Sequence, residues 1–149
     1  MKATSAWFLG LFALVLSCTP SFAFEDVTAH PACAICGMDR NAFGHSRMMV
    51  ELEDGTAYGF CSLRCAAFVL GEEEGKNTRS VRVADYRSRE LVDAEEATWV
   101  IGGTVPGVMT RVPKWAFRNA EDAERFLREF GGERAAYREA LRKALEELD

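Results

Sequence analysis

Four thiols stand in two close pairs, Cys33 and Cys36 in Cys33-Ala34-Ile35-Cys36, and Cys61 and Cys65 in Cys61-Ser62-Leu63-Arg64-Cys65. The first pair is within chelating reach across a tight turn, and Gly37 lets that turn take positive φ so that both sulfurs face one point. Met38 sets a thioether immediately beside them. The second pair lies at i, i+4 around the start of a short helix, where side chains meet on one face and the helix N-terminus lowers a thiol's pKa. Either pair alone is a weak signal, whereas two pairs separated by a hairpin form a strong one. Thiolate and thioether donors favour Cu(I), with zinc as the alternative, and a hard carboxylate-seeking ion finds no clustered acidic site outside a loop.

Each residue also has a plainer reading. In an oxidising compartment the thiols could form two structural disulfides, but a bridge from Cys33 to Cys36 would close too short a loop to add much stability. A structural tetrathiolate zinc site is a second possibility. Met48 and Met49 read as alternating core and surface positions of a strand. His30 reads as a solvated loop histidine, and His45 is a candidate ligand because it falls between the two thiol pairs. Met109 sits on a Gly/Pro-flanked loop where a core role is hard to justify, so its thioether is a soft-metal candidate.

The elements that must position these groups follow from pattern. Arg47 to Glu53 alternates loosely, Asp54-Gly55 is a hairpin turn signal, and Thr56 to Phe60 returns as a second strand. Ser62 offers an N-cap to a helix bearing Leu63, Ala66, Ala67 and Leu70, ended by Gly71. After a solvated loop at 72–77, Ser80 to Ala84 reads as a third strand, completing a ββαβ unit at about 31–90. A second unit at about 95–132 follows the same plan. Its strands are Thr98 to Ile101 and Val112 to Phe117, with Pro113 favouring an edge, and its helix is capped by Asn119 and carries Ala123, Phe126, Leu127 and Phe130. From Glu133 to Leu148 an apolar stripe on a charged background predicts a C-terminal amphipathic helix that docks on the body. The fold class is α+β, two tandem ββαβ units plus that helix.

The 149 residues are 48% hydrophobic and 28% charged, which excludes disorder and coiled coil. A net charge of −5 does not suit nucleic acid or an anionic membrane surface, and 2 His against 5 Cys leaves catalysis by histidine little to draw on. Residues 1–23 read as a signal peptide: Lys2, an apolar run from Ala6 to Leu16, and Ser21-Phe22-Ala23 with small residues where a signal peptidase reads. Cleavage after Ala23 is the first expectation. A lipid anchor on Cys18, after the loose lipobox Val15-Leu16-Ser17, is the alternative and would be the sole tie to a membrane. No later run approaches the ~20 apolar residues of a spanning helix.

Cys33-Ala34-Ile35-Cys36-Gly37-Met38, Gly44-His45-Ser46-Arg47-Met48, Phe60-Cys61-Ser62-Leu63-Arg64-Cys65, Val83-Ala84-Asp85-Tyr86, Trp99-Val100, Val108-Met109, Ala116-Phe117 and Gly131-Gly132 together resemble the NosL family of nitrous oxide reductase accessory proteins. The first unit is also similar to the small TRASH and YHS metal-binding modules. The resemblance implies a periplasmic, often lipid-anchored Cu(I)-binding protein of two ββαβ halves that delivers copper to the reductase. Cys36 and Met38 match the family's Cys-Gly-Met, and Met109 matches its second-half methionine, while Cys33, Cys61 and Cys65 belong to a thiol-rich branch. The expectation is a non-enzymatic copper chaperone whose partner is a copper-receiving periplasmic enzyme or a copper exporter. A thiol-disulfide oxidoreductase using Cys33 and Cys36 is disfavoured, because Gly37 and the loop-like Asp39-Arg40-Asn41 follow the pair where a redox CxxC would start a helix. A zinc-stabilised interaction domain is the third class.

Overall fold

The computed structural model describes residues 24–71 and 77–148. The export signal, the Cys18 anchor and most of the 72–77 loop lie outside the described residues. The order of elements is α1 (Glu25–Ala29), β1 (Met48–Leu52), β2 (Ala57–Phe60), α2 (Leu63–Leu70), β3 (Thr78–Ala84), β4 (Leu91–Asp93), β5 (Thr98–Ile101), β6 (Lys114–Phe117), α3 (Ala120–Phe130), β7 (Glu133–Ala135) and α4 (Tyr137–Leu145). This is the expected α+β architecture.

Two antiparallel sheets form, one ordered β2-β1-β3-β4 and the other β6-β5-β7. Each is built the same way. The first strand of the unit is central, its hairpin partner flanks one side, and the strand after the helix returns to the other side. The registers agree as well: Met48 lies opposite Phe60, and Thr98 opposite Phe117. In both units the chain leaves the hairpin at a phenylalanine and enters a helix three residues later. Pro113 does precede an edge strand, where its missing N–H costs no ladder bond.

The strand that closes the second unit has, by pattern, the look of the C-terminal helix. In the structure Glu133–Ala135 is β7, pairing Ala135 with Trp99, and the helix begins only at Tyr137. Three residues carry too little periodicity to announce a strand, and the charged Glu133 and Arg134 continue a helix-like pattern. The same brevity hid β4 and α1. Met49 departs from the expected alternation too. It is buried like Met48, with the Arg40 guanidinium against its sulfur at 3.3 Å on the second face of β1.

One apolar core runs through both units, from Met48, Phe60 and Cys65 to Trp99, Trp115 and Phe126. The Tyr86 N–H donates to Ala116 O at 2.8 Å across the junction, and the Tyr86 ring lies 5.1–5.6 Å from those of Trp115, Phe117 and Phe126. Helix α4 crosses back to pack on α2 and β5, docking on the body as its apolar stripe requires. Among the described residues no helix is long and apolar enough to cross a membrane.

Candidate metal centre

The Cys33–Cys36 turn is pinned by its own backbone. The Cys33 N–H donates to Met38 O at 2.8 Å and the Gly37 N–H to Cys33 O at 2.9 Å. Gly37 sits at φ +74, the left-handed conformation that an L side chain would strain. A further bond, from the Ala34 N–H to Gly59 O at 2.9 Å, lays this turn against the end of β2. Cys61 follows that strand directly, and Cys65 is the third residue of α2.

The two pairs converge. Cys36 Sγ is 3.5 Å from Cys61 Sγ, Cys61 Sγ is 3.6 Å from Cys65 Sγ, and Cys65 Sγ is 3.7 Å from Cys36 Sγ. With Cys33, all four Sγ atoms lie within 4.8 Å of one another, and none is in a disulfide. Cys61 and Cys65 are wholly inaccessible, Cys33 is buried, and Cys36 is half-buried at the outer edge.

Proximity splits the thiols' acidities. Hydrogen bonding from Cys61 draws Cys65 down to about 6, against the opposing effect of burial and with help from Cys36, Cys33 and the Arg64 charge. That same hydrogen bond, with burial, pushes Cys61 up. Burial also raises Cys36. Neighbouring S–H donors thus favour the thiolate at Cys65 over those at Cys36 and Cys61, and a soft cation can take the place of the protons they share.

Met38 is partly buried beside the Cys33 turn. His45 packs against the rings of Trp115 and Tyr86 at 5.5 and 5.9 Å, and burial with the nearby Arg89 charge keeps its imidazole neutral more readily than usual. It is not among the four ligand groups that cluster. Met109 is 43% exposed at φ +53 on the β5–β6 loop, a thioether turned to solvent as its Gly/Pro setting implied.

Sequence reasoning missed the groups that hold the centre together. Arg40, in the loop-like run Asp39-Arg40-Asn41, is fully buried. Its Nε donates to Phe60 O at 3.2 Å, directly before Cys61, and its Nη atoms reach Asp26 O, His30 O, Met48 O and Asp26 Oδ2. Gly59 makes room for it, since a Cβ there would stand 2.6 Å from Arg40 Nη1. No short-range pattern could reveal this, because the partners are 8 to 20 residues away. Asp85 was likewise unseen as a joint between the units. Its buried carboxylate accepts from the Ser88 N–H and Oγ–H at 2.7 Å and from the Arg118 N–H at 2.8 Å.

The NosL family model matches residues 24–145. The crystal structure of the copper chaperone NosL from Shewanella denitrificans matches with a TM-score of 0.61 at 23% sequence identity, covering 72% of this chain and 87% of that one. No curated protein matches the chain. The solved relative shares the fold, and the family match spans both ββαβ units together with α4. The chain therefore belongs to the NosL family.

Proposed function

We propose that the protein is an exported, non-enzymatic Cu(I) chaperone, cleaved after Ala23, whose mature domain carries copper as cargo to a periplasmic enzyme. The observation that carries this reading is the convergence of four sulfurs, three of them on buried cysteines, on one point. Such a set selects a soft ion such as Cu(I) over hard, oxygen-seeking competitors. Cys36, Cys61, Cys65 and Cys33 are the primary ligands, with the Met38 and Met109 thioethers as weaker, exchangeable donors. His45 is a reserve ligand only.

Handover follows from the gradient of exposure. Cys61 and Cys65 are sealed, while Cys36 reaches the surface. An acceptor's sulfur or imidazole would add to the ion on the Cys36 side before the inner thiolates let go, so the ion is never released free. Delivery to nitrous oxide reductase in particular rests on the family resemblance.

A second reading is favoured by one measurement. A tetrahedral tetrathiolate zinc site with Zn–S bonds of about 2.3 Å has S···S edges of about 3.8 Å, close to the 3.5–3.7 Å found here. Anaerobic metal analysis of the reduced mature protein, followed by competition with a chromogenic Cu(I) chelator, separates the two. Tight retention of Cu(I) supports the chaperone, whereas stoichiometric loss of copper to a weak chelator with zinc retained supports a structural zinc domain. Oxidation is expected to abolish binding, since disulfide-bonded sulfurs cannot ligate. Copper still bound with all four thiols blocked would place the ligands elsewhere.

A further inference from the structure

Beside the cysteine cluster lies a buried charge that copper binding as described leaves unused. Arg40 and Arg47 are both fully buried, and both grip Asp26: Arg40 Nη2 lies 2.9 Å from Oδ2, and Arg47 Nη2 and Nε lie 2.8 and 2.9 Å from Oδ1 and Oδ2. The Arg40 N–H donates to Pro31 O at 2.9 Å, just before the first thiol pair, while its Nε holds Phe60 O, just before the second. One residue is therefore tied to both cysteine-bearing segments.

Two guanidiniums against one carboxylate leave a single positive charge in the interior. Burial would raise the Asp26 pKa, but Arg47 and Arg40 hold it below the usual carboxylate range, so the carboxylate is ionised. Glu25, Arg82 and Glu90 line the open cleft outside the triad, where exposure to water screens them. A buried charge without an opposite neighbour is costly. In the metal-free cluster only Cys65 is drawn toward its thiolate, whereas Cu(I) held by three thiolates, or Zn(II) held by four, carries two negative charges and is the fuller neighbour.

We propose that Arg40 is a positioning residue for the cysteine cage and that, with Arg47 and Asp26, it supplies the positive counter-charge of the metal–thiolate unit. The inference rests on the soft-metal reading above.

Three variants separate it from a purely structural clamp. Arg40→Met removes charge and tether, Arg40→Lys keeps the charge with fewer donors, and Asp26→Asn leaves the interior one unit more positive. Retention of Cu(I), and separately of Zn(II), is measured by chelator competition beside the thermal midpoint of the metal-free protein. Expected is a loss of roughly tenfold or more in Arg40→Met and less than about threefold in Arg40→Lys. Asp26→Asn is expected to hold metal at least as tightly as the parent while its metal-free midpoint falls. A structural clamp moves both readouts together, so weaker retention in Asp26→Asn in step with its midpoint overturns the counter-charge. If Arg40→Met does not fold, Asp26→Asn and Arg40→Lys still decide by sign. A parent that loses Cu(I) but keeps Zn(II) overturns the copper reading alone, and the order of variants on zinc then tests this inference. A parent that holds neither ion overturns both.

Discussion

The two ββαβ units place different chemistry on one backbone plan. Register aligns Phe60 with Phe117, so Cys61 corresponds to Arg118, Ser62 to Asn119 and Cys65 to Asp122. In the second unit this corner is closed for stability. Asn119 accepts from the Asp122 N–H at 2.9 Å, Asp122 pairs with Arg87 and Arg125 at 2.8 and 2.6 Å, and Asp85 takes the Arg118 N–H. In the first unit Ser62 makes no side-chain capping bond, and the third helical residue is the Cys65 thiol. The free N–H groups that Asn119 helps to satisfy in one unit receive no side-chain cap in the other, where the first turn carries a thiol instead. A strand-to-helix corner can be capped or can be reactive, and this protein uses each solution once.

The largest test of that contrast is on metal. Replacing Cys36 and Cys65 together by serine is expected to cost more than the roughly 10–100-fold that losing an outer-shell partner costs, read by Cu(I) chelator competition. Arg118→Ala and Asp122→Ala should leave retention at the parent value. Metal loss from those variants would mean that the second corner shares the site, and the division of labour would be wrong.

Next in size is the joint between the units. Asp85→Ala strands three donors, two of them backbone N–H groups, and is expected to lower unfolding free energy by about 2–3 kcal/mol in denaturant titration. Asp85 and Asp26 share a signature with pH. Burial would raise Asp85, but its hydrogen bonds with Ser88 and Arg118 hold it below the ordinary carboxylate value of 3.8, as the arginines hold Asp26. A carboxylate depressed in the fold contributes its full stability above its unfolded pKa and loses it as pH falls through the folded one. Stability measured downward from about pH 6 should therefore fall below about pH 4, and less steeply in Asp85→Asn. An identical slope in parent and variant would remove Asp85 from this role.

A smaller contrast concerns the caps alone. Asn119→Ala should cost about 1 kcal/mol, whereas Ser62→Ala should show no capping loss. Equal costs would erase the distinction between the corners. Smallest on stability is Met109→Leu, expected within about 0.5 kcal/mol at so exposed a site. Leucine carries the same positive-φ strain as methionine, so only the sulfur is removed. Cu(I) retention should weaken while the metal-free midpoint stays put. A shifted midpoint with unchanged retention would make Met109 a packing residue.

Much of this architecture was legible because it is local. The Asp54-Gly55 turn joins β1 to β2, with Gly55 at φ +87, and α3 runs between the Asn119 cap and Gly131 as spacing and capping chemistry required. What escaped was short or long-range. α1, β4 and β7 are short and lack the hairpin pairing and apolar runs that marked the equally short β2, β5 and β6, and β7 borrowed the look of the helix behind it. Arg40 looked like a loop residue because nothing within a few positions announces its partners.

By itself the sequence determined what each thiol pair could do. A turn through Gly37 and an i, i+4 spacing at a helix start bring sulfurs together whatever the rest of the chain does, since three or four residues of backbone set those distances. It also determined the shared plan of the units through hydrophobic period, turn and cap. Only the tertiary structure decided that the two pairs meet. The distance from Cys36 to Cys61 depends on how the 33–40 turn lies against the end of β2, and that placement is held by the Ala34–Gly59 bond and by a buried guanidinium with partners on α1, β1 and β2. Such contacts are selected by the packing of the whole core, which no window of neighbouring residues contains.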